Sequence, residues 1–208
     1  MKIVSKRTRT RLLRELSADS YGIYSKPRDF AAGFLDIGAC VGTVALQVRL
    51  CHPGTRVFCV EPDPGFYECL VDNLAELDIE FLNAGLGKNG DFLEIQHGTS
   101  LAKSYRASSI GRIPAMPLSR LVDVFGVAVE KLWIKFDCEG AEHCLVDDRE
   151  SLDILQRCLA SSWEMHSGPR GRARRLHAWF SDFLQATHHE VLVSARASMV
   201  STSYIRKL

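Results

Sequence analysis

Short apolar runs alternate along this chain with longer stretches whose apolar residues recur at helical spacing. Residues 33–37 form an apolar run that ends on a glycine turn, the pattern of a parallel strand buried on both faces. Residues 43–50 carry helical spacing, and Pro53-Gly54 closes them. Residues 56–60 form a second strand that stops at Glu61-Pro62. Residues 64–77 predict a helix, with Asp63 as N-cap and Pro64 at its first position. A third strand spans 80–83. Asn89-Gly90 predicts a hairpin turn leading into a strand over 92–96. Residues 97–112 are polar, rich in Ser and Gly and without period, so they read as a mobile surface loop. Beyond them the pattern predicts a helix over 118–124, a strand over 132–136, a helix opening at 141–146 and a strand over 159–165. Leu176, Trp179, Phe180, Phe183 and Leu184 mark a helix over 172–185, and strands over 190–194 and 199–205 close the chain.

Such alternation predicts an α/β fold, a Rossmann-like, mostly parallel sheet with helices on both faces. The last two strands are joined by a connection too short for a parallel crossover, so they form a C-terminal antiparallel hairpin. The chain of 208 residues suffices for one domain and not for two. Residues 1–32 read as a basic helix over 7–16 and a lead-in segment, and residues 33–208 as the domain proper.

A net charge of +1 gives no global field toward nucleic acid or membrane. Locally, Lys2, Lys6, Arg7, Arg9, Arg11 and Arg14 crowd the N-terminus, and Arg170, Arg172, Arg174 and Arg175 form a second cluster. Both are either solvated helix faces or contacts for an anionic partner. The seven cysteines, at 40, 51, 59, 69, 138, 144 and 158, contain no CxxC pair and are odd in number, which fits reduced, small apolar side chains. The charged N-terminus has no apolar stretch behind it, so it is not a signal peptide, and no run approaches the roughly 18–20 apolar residues of a membrane span. The expected location is the cytoplasm or another reducing compartment.

Candidate chemistry collects where the strands end. In open α/β sheets ligands bind outside the carboxyl ends of the strands. The first strand delivers Asp36, Gly38, Ala39, Cys40 and Gly42. The glycines stand as GxxxG, not as the GxGxxG that cradles a pyrophosphate, which disfavours a nicotinamide dehydrogenase. Glu61 ends the second strand, where an acid can accept hydrogen bonds from ribose hydroxyls. Asn83-Ala84 close the third. The strand over 132–136 carries Lys135 and leads to Asp137 and Glu139, and the next ends with Glu164 and His166. Lys135 and Asp137 share a face by alternation, as do Glu164 and His166.

The segments FLDIGACVGTVAL, FCVEPDPGFYECLVDN, IPAMPLSRLVDVF, IKFDCEGAEHCLV and WEMH, in that order, resemble the FkbM family of class I S-adenosylmethionine methyltransferases over roughly residues 33–168. The resemblance implies a seven-stranded sheet with S-adenosyl-L-methionine across the first two strand ends. It also implies methyl transfer to oxygen, often on a sugar or other small-molecule hydroxyl. By the same resemblance, the loop from Asp36 through Gly38, Ala39 and Cys40 to Gly42 meets the methionine half of the cofactor. Glu61 and Pro62 meet the ribose, Asn83 and Ala84 the adenine, and Asp137 and Glu139 the methyl-transfer site. Cys40 departs from the asparagine common in the family. His166 is the first candidate for a general base, because an unperturbed imidazole titrates near neutrality, and Asp137 or Glu139 is the second.

The alternatives are a nucleic-acid methyltransferase and a non-catalytic cofactor-binding module. Lys135, Asp137 and Glu164 partly match the Lys-Asp-Lys-Glu set of ribose 2′-O-methyltransferases, without a second lysine. The two basic clusters would then hold phosphates. No metal site is assigned; assistance by Mg²⁺ is a lesser alternative that chelation tests. Acceptor specificity is expected from residues 97–112 and the N-terminal segment. The domain is too small for a lid, so the cleft is open or completed by a partner subunit.

Overall fold

The computed structural model describes residue 19 and residues 21–96, 104–108, 111–166, 172–196 and 199–207. The basic helix expected over 7–16 and Arg170 lie outside the described residues.

The chain runs β1 (Gly33–Ile37), α1 (Thr43–Cys51), β2 (Arg56–Val60), α2 (Pro64–Leu74), β3 (Ile79–Leu82), β4 (Gly85–Leu86), β5 (Phe92–Gln96), β6 (Ser104–Ser108), β7 (Ile113–Met116) and α3 (Leu118–Phe125). It continues through β8 (Leu132–Phe136), a 3-10 segment (Ala141–Asp147), α4 (Arg149–Arg157), β9 (Ala160–His166), α5 (Arg172–Leu184), β10 (His188–Arg196) and β11 (Met199–Arg206). A seven-stranded sheet has the order β10-β11-β9-β8-β1-β2-β3. Strands β3, β2, β1, β8 and β9 are parallel, while β11 runs antiparallel to both β9 and β10. The expected mostly parallel sheet with a closing antiparallel pair is therefore the fold.

Alternation assigns each strand's residues to two cores. On β1 and β8, Leu35, Ile37, Ile134 and Phe136 enter the core beneath α3, α4 and α5. Phe34 and Trp133 enter the other, with Val44, Ala45 and Val48 of α1 and Leu70 and Leu74 of α2. Asp36 and Lys135 share that second face by the same alternation, and they are direct register partners across β1 and β8. Ile37 stands opposite Val60 and Phe136, so β1, β2 and β8 end at one level.

Local signals explain most element ends. The Asp63 side chain accepts the Phe66 N–H at 2.9 Å and starts α2. That helix stops at Leu74, where a turn from Leu77 N–H to the Leu74 carbonyl replaces the predicted last turn. Gly126, in the left-handed region, closes α3.

Three expectations change. Asn89-Gly90 is a turn, with Gly90 at φ 84°, but not a hairpin. β4 pairs in parallel with β7, and β5 pairs antiparallel with β6 and β7, giving a four-stranded sheet of order β4-β7-β5-β6. The Gly87 N–H goes to the Met116 carbonyl, so the chain before the turn is already paired elsewhere. Within the segment read as a loop, residues 104–108 form β6; the rest, apart from 111 and 112, lies outside the described residues. The helix predicted over 141–146 is a 3-10 segment, and α4, which the apolar pattern did not announce, follows it. α4 is mostly polar and buries only Ser151, Ile154 and Leu155, too narrow a stripe to stand out in sequence. Among the described residues, no helix is long and apolar enough to cross a membrane.

Candidate active site

Because β1, β2 and β8 end level, Gly38, Glu61 and Asp137 emerge side by side. Gly38 has φ 81°, and a methyl group there would lie 1.9 Å from the Asp137 carbonyl oxygen. Only glycine lets the two strand exits approach so closely. The Gly38 and Ala39 N–H groups both donate to the Val60 carbonyl, at 2.9 and 3.1 Å, tying the loop to the end of β2. Cys40 occupies the left-handed region at φ 53°. Asparagine is several-fold enriched in that region, so the backbone at this position suits asparagine better than cysteine. Gly42 then opens α1 with no side-chain cap, leaving the first helical amides facing the strand ends.

Glu61 is 3% exposed. Its Oε2 accepts the Cys40 N–H and its Oε1 the Asp63 N–H, each at 2.8 Å. Burial pushes its carboxyl up to about 7, against the two backbone donors that favour the charged form. Asn83 donates from Nδ2 to the carbonyls of Glu61 at 2.8 Å and Pro62 at 3.2 Å, so its side chain braces the β2 exit. Ala84 is sealed in the core beneath.

Lys135 is the hub of the mouth. Its Nζ lies 2.8 Å from Asp36 Oδ1 and 3.8 Å from Asp137 Oδ2, and it donates to the Gly38 carbonyl at 2.8 Å. Burial alone would lower its pKa, but the Asp36 and Asp137 charges outweigh burial and hold it above the usual lysine range. Lys135 therefore stays charged and pins the glycine loop from below. Asp36 is fully buried and faces this ammonium; its Oδ2 has no hydrogen-bond partner among the described residues. Asp137, with 24% of its side chain exposed, is the carboxylate that reaches the cleft.

Tyr21 was not singled out by its sequence, since it sits in a lead-in segment with no periodic signal. Its hydroxyl lies 2.9 Å from Asp137 Oδ2 and 3.1 Å from Glu164 Oε2, and its ring lies 5.3 Å from Lys135 Nζ. Ser162 Oγ donates to the Tyr21 carbonyl at 3.0 Å, and the Asp19 carboxylate accepts the Ile23 and Tyr24 N–H groups. The lead-in segment is thus fastened across β8 and β9. Asp36, Lys135, Asp137 and Glu164 come together around it.

Glu139 goes elsewhere. At φ 53°, and followed by Gly140 at φ 103°, it lines a cavity of about 270 Å³ with Leu86, Lys88, Ala115, Cys138 and Cys144. Glu142 accepts the Cys138 N–H at 3.0 Å and sets this turn. His166 ends β9 and pairs with Met199, but its side chain lies outside the described residues. Arg174 and Arg175 are exposed on α5.

The family model described as Methyltransferase FkbM domain matches residues 36–192. The chain belongs to the FkbM methyltransferase family. It is an S-adenosylmethionine-dependent methyltransferase. No curated protein matches this methyltransferase. Among solved structures, it is similar in fold to Aeropyrum pernix fibrillarin in complex with natively bound S-adenosyl-L-methionine, at 10% identity and TM-score 0.53, covering 91% of this chain and 74% of that one. It is similar to precorrin-6y C5,15-methyltransferase from Geobacter metallireducens at 10% identity and TM-score 0.50, over 99% and 90% of the two chains. A Methanococcus jannaschii fibrillarin pre-rRNA processing protein matches at 13% identity and TM-score 0.50, over 85% and 66%.

Proposed function

We propose that this methyltransferase methylates a hydroxyl of a sugar or another small molecule. The carrying observation is the charge at the mouth. Glu61, Asp137 and Glu164 stand there with Asp36 behind them, and among the described residues the lysine between them, Lys135, is committed to Asp36 and the Gly38 carbonyl. A cluster of carboxylates suits a cationic sulfonium and a neutral hydroxyl, and it repels the phosphates of a nucleic acid.

The residues fit the cofactor. Gly38 lets the exits of β1 and β8 close up side by side, and the α1 amides beyond it favour the methionine carboxylate. Each Glu61 oxygen accepts one backbone N–H and keeps a lone pair for a ribose hydroxyl. The cavity between β4 and the 138–144 turn is apolar enough to take the purine, beside the end of β3 rather than on the occupied Asn83 amide. When bound, the cofactor supplies an electrophilic methyl group on a sulfonium.

Asp137 is the group assigned to the acceptor. Its carboxylate orients the hydroxyl and takes its proton at Oδ2 as the methyl moves. Positioning supplies most of the rate, and a base adds about 10²–10⁴-fold. His166 keeps its place as the alternative base. The test is a panel of sugars, hydroxylated small molecules and RNAs offered with methyl-labelled cofactor. Label in a small-molecule hydroxyl, reduced at least 100-fold by Asp137→Asn, is the expected result. Label confined to RNA, with binding that weakens steeply in salt, would overturn it and assign Arg174 and Arg175 to phosphate contacts.

A further inference from the structure

We infer that Tyr21 couples Asp137 and Glu164 into one proton-accepting unit, so that the lead-in segment takes part in the reaction as well as covering the sheet. The inference deepens the assignment of Asp137 as proton acceptor and rests on it.

The Tyr21 hydroxyl lies within hydrogen-bond distance of both Asp137 Oδ2 and Glu164 Oε2. A phenol carries one proton and can donate to only one of them at a time. The unit of three groups is therefore one proton short of satisfying both links. A single added proton completes it. With that proton on Asp137, the Asp137 O–H donates to the Tyr21 oxygen and the Tyr21 O–H donates to Glu164. The acceptor hydroxyl supplies this proton: its O–H bond breaks as its bond to methyl forms and the methyl–sulfur bond breaks, and the electron pair of that bond stays on sulfur. Tyr21 neither gains nor loses a proton. It re-aims its hydroxyl from Asp137 to Glu164, which makes it a positioning residue.

The surroundings suit a group that gains charge balance by taking a proton. Glu164 is 4% exposed, and two carboxylates held on one hydroxyl in a buried place repel each other. Among the described residues, Lys135 and Cys138 from β8 and its exit and Cys40 from the glycine loop face Asp137, and Asp36 of β1 faces the same Lys135. Lys135 is the cation among these described groups, and Asp36 already shares it. Tyr21 itself is fixed from three sides: by Ser162 at its carbonyl, by the Asp19 turn and by the packing of its ring over Lys135.

The experiment follows the carboxyl groups and needs no acceptor. The full chain is saturated with S-adenosylhomocysteine, and the titration of Asp137 is followed by infrared difference spectroscopy, with Asp137→Asn identifying its band. Glu164→Gln is expected to move the Asp137 titration downward by about one pH unit or more, because the like charge is gone and Tyr21 donates to Asp137 alone. In a Tyr21→Phe background the same Glu164→Gln change is expected to move it by less than half as much. Retained S-adenosylhomocysteine binding shows that each variant is folded. An Asp137 titration that Glu164→Gln leaves in place, or moves equally with and without the Tyr21 hydroxyl, overturns the coupling. Failure of the base assignment is read separately, as near-normal turnover by Asp137→Asn on the acceptor panel.

Discussion

Glu61 is a single buried acid whose surroundings make its charge depend on pH near neutrality. Both of its oxygens hold backbone N–H groups, yet burial leaves its carboxyl at about 7, above its ordinary 4.5. In the absence of cofactor, the folded chain keeps a proton between about 4.5 and 7 that the unfolded chain has released. Folding stability from this group is complete below 4.5 and is lost as pH rises through 7, by roughly 3 kcal/mol. Urea unfolding of the cofactor-free protein is expected to show this decline between about pH 4.5 and 7, and Glu61→Gln is expected to flatten it. Cofactor affinity runs the other way. On the proposed assignment of Glu61 to the ribose, its hydroxyls donate to the ionised form, so S-adenosylhomocysteine binding is expected to tighten as pH rises through 7 and to lose this dependence in Glu61→Gln. Cys40 beside it follows the same rule, a thiol that burial first and the Glu61 charge second push up to about 12, which makes it a packing group and not a nucleophile.

At the scale of elements, the helix and strand ends do the positioning. α2 begins where the Asp63 side chain accepts the Phe66 N–H, and the Asp63 N–H in turn donates to Glu61. Asp63→Ala removes the cap and is expected to cost about 1 kcal/mol in urea unfolding. The backbone donor to Glu61 survives that change, so S-adenosylhomocysteine affinity is expected to fall less than threefold. Elements with a strong apolar signature were legible in the sequence: β1, β2, β8, α5 and the β10–β11 pair each carry a run or stripe that a buried face requires. The weaker ones were not. Asn89-Gly90 has hairpin chemistry, but the flanking strands found partners in β7 and β6 instead, a choice made by long-range pairing. α4 is held mainly by Ile154 and Leu155, with Arg157 bridging Glu130 and Asp153 on the exposed side, and such surface pairs contribute little.

At the scale of the whole molecule, one ion pair ties the sheet to the site. Lys135 joins β8 to Asp36 of β1 and to the glycine loop, and nearly all of it is out of water. Lys135→Met leaves Asp36 as an uncompensated buried charge and is expected to cost about 3–5 kcal/mol. Adding Asp36→Asn is expected to recover a large part of that loss, measured as a double-mutant cycle in urea. A recovered stability without recovered S-adenosylhomocysteine binding would show that the ammonium also organises the loop.

Taken by itself, the sequence determined the fold class, the family and the acids at the strand ends, because burial demands apolar periodicity and the strand exits carry their own short motifs. It placed Asp36 and Asp137 together as ligands of one cleft. Tertiary structure set their surroundings: register sets Asp36 against Lys135 in the interior, while Asp137 reaches the mouth. It also sent Glu139 toward the cavity and brought Tyr21 onto Asp137 and Glu164, which are 116 and 143 residues away in the chain. No local pattern encodes such a contact. It exists because the lead-in segment packs across β8 and β9, and packing is settled only when the whole sheet has formed.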